Sequence, residues 1–590
     1  MNMESSTAYK LVVHDGNWAP YQTHQYHHFQ LYWQLQLHVK QASHQTLDCC
    51  CPHLNLPLTA SISSLRLMAC HDPMAVHSSA QVAAVSLLQL PDPCLPAVLR
   101  CCDTHSSICS AARAHSRLHQ AAIEALTSIT LDKSQSSRVL RQPRLDSLVD
   151  VYLPRYGQHV DSIDISLNTG RLRQLPTTLT KLTSLTAKHM DLQLLPGCGY
   201  PGVLGAAVTP PLKRLRLNGC YLMSDYEEGL TAALALLPGL EHLSITDSNM
   251  LRIAEKERAT GGGNVLRQLQ QLTYLELSGV WVEAGDPEGV DLFKLQDLTA
   301  LTRLADLRLL WHNYPCSITA SMMSSAQRLT RLQLETARLG GYCFEPGALA
   351  GKTLLQHLEL QRCNMVWRRF GVARLLSELP KLQQLTSLVL SCTGLKGLGA
   401  PAAAAYSALT ASSKLQRLDL SAGSFPAGVL QHVFPEGRQL PHLRELDISD
   451  ISKHLLTAAE GSSLVSCCPG LQSLDMRHLQ CSTEMLGALQ GLSSLSSLSL
   501  QPPAGSEEEW EETVEGVSQL TGLRRLELWQ QLGIWQLATQ GLALQLTQLQ
   551  QLTYLQFSPG VTVAGQHQQR GSGHDKDVSF CCAVSPNVFT

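Results

Sequence analysis

Asp419, Asp447 and Asp475 stand 28 residues apart, each after the last. Carboxylates repeated at one interval can act together only if the fold stacks interval upon interval. In that case they form a line of negative charge suited to a cation. Other candidate chemistries are less complete. Gly347-Ala-Leu-Ala-Gly351-Lys352-Thr353 approaches a phosphate-binding loop, but it is one residue short and has Pro346 where the first glycine belongs. It also leads into a strand pattern at Leu355, whereas such a loop follows a strand and opens a helix. Cys49, Cys50, Cys51 and His53 have ligand chemistry, yet adjacent cysteines wrap one tetrahedral ion poorly and no second pair stands at zinc-site spacing. Gly261-Gly262-Gly263 lacks the lysine and hydroxyl of a phosphate loop and reads as a flexible turn. No Gly-x-Ser-x-Gly elbow and no His-Glu-x-x-His is present. These observations lead to the expectation of a protein with no catalytic residues, no metal and no cofactor.

The element that positions the aspartates is best seen at Pro211–Leu222, where Leu212-x-x-Leu215-x-Leu217-x-x-Cys220-x-Leu222 recurs along the chain. Leu215 and Leu217 alternate as the inward face of a short strand. Leu212 and Leu222 bracket it, and Cys220 is small enough to sit beneath the bend. The first position of each unit falls at Val160, Leu182, Leu212, Leu240, Leu272, Leu304, Leu329, Leu355, Leu385, Leu415, Leu443, Leu471, Leu495, Leu523 and Leu552. The spacings run from 22 to 32 residues. Leu355-x-x-Leu358-x-Leu360-x-x-Cys363-x-Met365 is nearly as regular as the first example. One such unit has too little core to stand alone and must stack on its copies.

This pattern resembles the leucine-rich repeat family over residues 160 to 557. The resemblance implies a horseshoe-shaped α/β solenoid of about fifteen repeats, with a parallel sheet on its concave face. Spacings near 28 leave room for a return helix, as at Leu230, Leu234 and Leu237 or at Leu375, Leu376 and Leu379. They therefore suggest the ribonuclease-inhibitor-like class. The third and fifth positions of each unit face away from the leucine core. Asp419, Asp447 and Asp475 all occupy the fifth, with Glu445 beside them and Arg417 at one end. Neighbouring strands lie ~4.8 Å apart. The three acids should then form a ladder on the concave face, adding nothing to stability and suited to a Lys/Arg-rich segment of a protein partner.

Composition agrees with a stacked leucine core: aromatic residues are 5% and charged residues 16% of 590. A net charge of −3 and a pI near 6.8 favour neither nucleic acid nor an anionic membrane as the main partner. No apolar run approaches the ~18 residues of a membrane span. Nineteen scattered cysteines, several on repeat positions (Cys220, Cys363, Cys392), and no secretory hydrophobic stretch lead to the expectation of a reducing compartment, cytoplasm or nucleus.

Before the repeats the composition changes near residue 85. Leu90-Pro91 is followed by Leu95, Val98 and Leu99 at helical spacing, then by Ala112, Ala114, Ser116 and Arg117. This stretch resembles an F-box, which would dock a Skp-type adaptor of a cullin complex through Leu90, Pro91, Leu95, Val98 and Leu99. It departs from the pattern at Leu118, where tryptophan is usual, and at Pro96 inside the first helix. The alternative is a small helical cap over the first repeat. The expected organisation is a His/Gln-rich segment without a folded core (1–84), the helical module (85–130), a connector (131–155), the repeats (156–560) and a polar tail lacking order (561–590). The resemblance implies a substrate-recognition subunit of a ubiquitin ligase. The alternatives are a repeat scaffold without a ligase role, or a regulator of an enzyme such as a small GTPase or phosphatase.

Overall fold

The computed structural model describes residues 120–122, 127–132, 141–167, 170–193, 203, 211–222, 230–246, 265–278, 295–311, 316–336, 342–362, 371–391, 400–423, 425–451, 455–501, 507–531, 548–560 and 580–582. The chain divides into two compact units. The first comprises residues 1–129 and 152–163, the second residues 130–151 and 164–590. In the first unit, helix Leu153–Tyr156 runs into the 3-10 turn Gly157–His159. There Leu153, Val160 and Ile163 are buried, and the Tyr152 and Tyr156 rings meet at 5.1 Å. Leu90, Pro91, Leu95, Val98 and Leu99 lie outside the described residues, as do Cys49, Cys50, Cys51 and His53.

The second unit is built on one long, mainly parallel sheet. Its strands are β1 Ser184–Lys188, β2 Arg214–Asn218, β3 His242–Thr246, β4 Tyr274–Ser278, β5 Asp306–Trp311, β6 Arg331–Thr336 and β7 His357–Gln361. They continue as β8 Ser387–Val389, β9 Arg417–Asp419, β10 Glu445–Asp447, β11 Ser473–Met476, β12 Ser497–Leu500, β13 Arg525–Gln531 and β14 Tyr554–Gly560. Each strand pairs in parallel with the next, and equivalent repeat positions face one another: Leu215 opposite Leu243, Leu332 opposite Leu358, Leu446 opposite Leu474. A slip of one residue would turn every leucine to the wrong face, so the alternation excludes any odd shift of this register. β15, Phe580–Cys582, pairs antiparallel to β14 within the segment assigned to a polar tail.

All fifteen first-position residues are buried, from Val160 at 0% exposure to Leu552 at 8%. Each buried leucine contributes about 1.5–3 kcal/mol relative to exposure. The Cys220 thiol is buried beneath the bend and donates to the Ala187 carbonyl at 3.2 Å; burial pushes its pKa up to about 11. It acts there as a small apolar residue. Cys363 and Cys392 lie outside the described residues.

Return segments behind the sheet are of mixed type. Leu230–Ala235 and Gly371–Glu378 are α-helical, the latter continuing as a 3-10 turn at Leu379–Lys381. Leu295–Ala300 and Ala400–Thr410 are 3-10 helices. The helix Ala458–Cys467 opens with a capping box. Thr457 Oγ1 accepts from the Glu460 N–H, and Glu460 Oε2 accepts from the Thr457 N–H at 3.1 Å. Pro346–Leu349 is a 3-10 turn leading to β7, and Lys352 is only 1% exposed. The glycine- and lysine-containing stretch there is therefore a repeat turn, not a phosphate loop. Among the described residues no helix is long and apolar enough to cross a membrane. None of their His, Cys, Asp and Glu side chains cluster as a metal site.

Candidate functional site: the open face of the sheet

The residues between the leucines of each strand line the sheet face opposite the return segments. Register brings the three aspartates together as the spacing requires: Asp419 lies opposite Asp447, and Asp447 opposite Asp475. The lane continues through Ser499 to Glu527. Glu445 flanks it, opposite Arg417.

The three carboxylates are not equivalent, and each is hydrogen-bonded within the fold. Each turns one oxygen back to the chain leaving its own strand. Asp419 Oδ1 accepts from the Ser421 N–H at 3.0 Å and the Ser421 hydroxyl at 2.7 Å. Asp447 Oδ1 accepts the same pair from Ser449 at 2.9 and 2.6 Å. Asp475 Oδ1 accepts from Arg477 N–H at 3.1 Å and its Nε at 2.9 Å. These are side-chain turns that satisfy a backbone donor where the strand ends. The residue following each is left-handed: Ala422, Asp450 and His478 have φ of 52°, 56° and 60°. The aspartates thus hold a bend that non-glycine residues adopt at a cost.

The second oxygens separate the three further. Asp419 is 7% exposed and its Oδ2 lies 3.7 Å from Arg417 Nη2. Asp475 Oδ2 is 2.8 Å from Arg477 Nη2, and that guanidinium packs 5.0 Å from the Trp529 ring centroid. Further along, Arg525 bonds Glu527. Asp447 alone of the three has no cation on it among the described residues. Burial raises its carboxyl above the usual carboxylate range, Ser449 opposes that shift, and Asp419 and Asp475 add to it. Glu445 is exposed and shares Arg417 at 3.8 Å. Of the four acids read from the sequence, Glu445 is exposed, Asp447 has no ion pair among the described residues, and Asp419 and Asp475 each face an arginine.

A second cluster lies toward β2. Arg216 Nε donates to His242 Nε2 at 2.9 Å. The His242 and Tyr274 rings stack at 3.9 Å and 10°, and the Arg308 guanidinium lies 5.1 Å from the Tyr274 centroid. Tyr274 and Ser244 hydroxyls both donate to Glu276 Oε2, at 2.9 and 2.6 Å. Arg308 holds Asp306 through two nitrogens at 3.1 and 3.0 Å. These residues fall at third and fifth repeat positions, but the stack itself depends on rotamers across four strands and is not legible in the sequence. Burial, then Arg216 and Arg214, lower the His242 pKa from 6.5 to about 4. The folded chain then binds fewer protons than the unfolded one between those values. Stability should fall as pH drops from 6.5 toward 4, and His242→Gln should flatten that slope. Urea unfolding of both proteins across this range checks it.

A polar recess of about 710 Å³ lies beside Gly170, lined in part by Gln142, Asp146, Arg171 and Asp191. Gln142 ties it together, accepting from the Arg171 N–H at 2.8 Å, and Arg171 pairs with Asp191 at 3.2 Å.

No model of a known protein family matches this sequence, and no curated protein is similar to it in sequence. Solved structures with a similar course include an internalin from Listeria monocytogenes, at 15% identity and a TM-score of 0.37, covering 67% of this chain and 92% of that one. The leucine-rich-repeat ectodomain of the Arabidopsis thaliana receptor kinase GASSHO1/SCHENGEN3 is 15% identical with a TM-score of 0.35, over 69% of this chain and 48% of that one. A chain of the Latrophilin 3, Unc5D and FLRT2 (LRR) complex is 14% identical with a TM-score of 0.28, over 62% and 83%. At those values the assignment rests on the chain's own register and burial, not on the likenesses. With the same positions buried and paired from strand to strand, the chain is an α/β leucine-rich-repeat solenoid.

Proposed function

We propose that the repeats hold a protein partner on the open face of the sheet, with a Lys/Arg-rich segment of that partner at Asp447 and Glu445. The observation that supports this is Asp447, which has no ion pair among the described residues and lies between two acids that each have an arginine. A partner's lysine or arginine would supply the missing cation, and the pairing would be salt-sensitive. Residues 85–130, through Leu90, Pro91, Leu95, Val98 and Leu99, would dock a Skp-type adaptor and cullin complex. The chain would then be the substrate-recognition subunit of a ubiquitin ligase, in the cytoplasm or nucleus. It would do no chemistry itself and would supply proximity. The F-box-like residues in the sequence support that half of the reading; a scaffold without a ligase role keeps the same partner face.

The experiment has two arms. Purified full-length chain should retain a Skp-type adaptor in a pull-down, and Leu99→Arg should abolish retention while leaving the circular dichroism of the repeats unchanged. No retention by the wild type overturns the ligase half alone. A labelled oligolysine peptide should bind at low salt, and Asp447→Asn should weaken it by about tenfold, one ion pair's worth. Equal affinity at low and moderate salt in both proteins removes Asp447 from the site.

A further inference from the structure

The charges that the fold leaves uncompensated change sign along the open face. Near β9–β11 the spare charge is carboxylate. At β2 it is guanidinium. Arg214 and Arg216 are both exposed, two residues apart on one strand, and so on the same face. Among the described residues the Arg214 guanidinium has no hydrogen-bond or ion-pair partner; only its backbone N–H is engaged, donating to the Thr183 carbonyl at 2.9 Å. Among the described residues the Arg216 side chain bonds only through Nε, to His242, and its two terminal nitrogens have no partner. Two described carboxylates further along the same columns are engaged elsewhere. Glu276 accepts two hydroxyls and Asp306 is held by Arg308. Lys213, the neighbouring cation, is paired with Glu241 at 2.9 Å.

The stack beneath gives Arg216 a fixed seat, and Arg214 lies opposite His242 in register. His242 accepts the Arg216 Nε–H through Nε2, which is possible only while that nitrogen carries no proton. The ring therefore takes up one donor of Arg216 without adding a competing charge. Its face is pinned against Tyr274, and Tyr274 is pinned by Glu276 and Arg308. A guanidinium anchored at Nε presents its terminal N–H pair in a plane, the geometry that takes a carboxylate bidentately.

We propose that Arg214 and Arg216, on the His242–Tyr274–Arg308 stack, bind an acidic segment of the protein partner through its Asp or Glu carboxylates. This rests on the reading of the open face as the partner surface and adds a second, oppositely charged anchor to it. β2 and β10 are eight strands apart by register. At ~4.8 Å per strand the two anchors lie about 38 Å apart along the sheet. The partner thus carries an acidic segment and a basic segment at that separation, and the pair of anchors sets its direction across the repeats.

The test uses the full-length chain and a fluorescein-labelled oligoglutamate peptide, read by anisotropy at low and moderate salt. The chain's net charge of −3 gives this probe no general attraction. Wild type should bind it in a salt-sensitive way, and Arg214→Gln with Arg216→Gln should weaken binding at least about tenfold. Lys213→Gln removes a positive charge from the same strand region and should leave affinity unchanged. No binding by wild type, or an equal loss in Lys213→Gln, overturns the proposal. The oligolysine peptide separates the two anchors. If oligolysine fails to bind while oligoglutamate binds and depends on the arginines, the Asp447 reading falls and this one stands; the reverse result removes this one alone.

Discussion

Leu360→Asp should unfold the repeats around β7. Leu360 is fully buried and lies opposite Leu334 in the register of β6 and β7. The substitution removes about 1.5–3 kcal/mol of apolar burial. It also forces a carboxylate among leucines with no partner, which costs more than the lost burial. The expected total exceeds about 4 kcal/mol, the range in which a single change disables a domain. Because each repeat contacts mainly its neighbours, the damage should begin locally and spread through lost interfaces. Urea unfolding followed by circular dichroism should show an early loss of part of the signal. A variant that melts like the wild type would mean Leu360 does not face the core.

Asp447→Ala and Asp447→Asn should part company. Alanine removes the acceptor that holds the Ser449 N–H and hydroxyl. The bend at Asp450, with φ of 56°, then loses its tie. A cost of about 1–3 kcal/mol is expected. Asparagine keeps an acceptor in place while removing charge between Asp419 and Asp475. It should match or exceed wild-type stability at neutral pH. The pH dependence has a definite sign. Burial and two neighbouring acids raise the Asp447 pKa above 3.8, so the folded chain binds more protons than the unfolded one just above that value. That contribution is present at low pH and is lost as pH rises through the raised pKa. Wild type and Asp447→Asn should therefore converge on acidification. If alanine and asparagine behave alike at neutral pH, the turn bonds contribute nothing and the carboxylate is only a surface charge.

The leucine spacing by itself determined the solenoid. Positions from Leu182 to Leu552 are buried where the repeat requires them, because a strand period of two admits only one inward face. It also determined that Asp419, Asp447 and Asp475 would be neighbours, since equal spacing in a parallel stack becomes equal height. Tertiary structure decided what each neighbour is for. Whether an aspartate serves a turn, an arginine or a ligand depends on the side chains beside it. Asp475 meets Arg477, which packs on Trp529, Asp419 meets Arg417, and Asp447 is hydrogen-bonded to Ser449 with no ion pair among the described residues. The seated guanidinium at Arg216 was likewise invisible in one dimension. Arg216, His242, Tyr274 and Arg308 are 26, 32 and 34 residues apart in sequence. They meet because four strands of unequal loop length return to one register, and side-chain rotamers then close the stack.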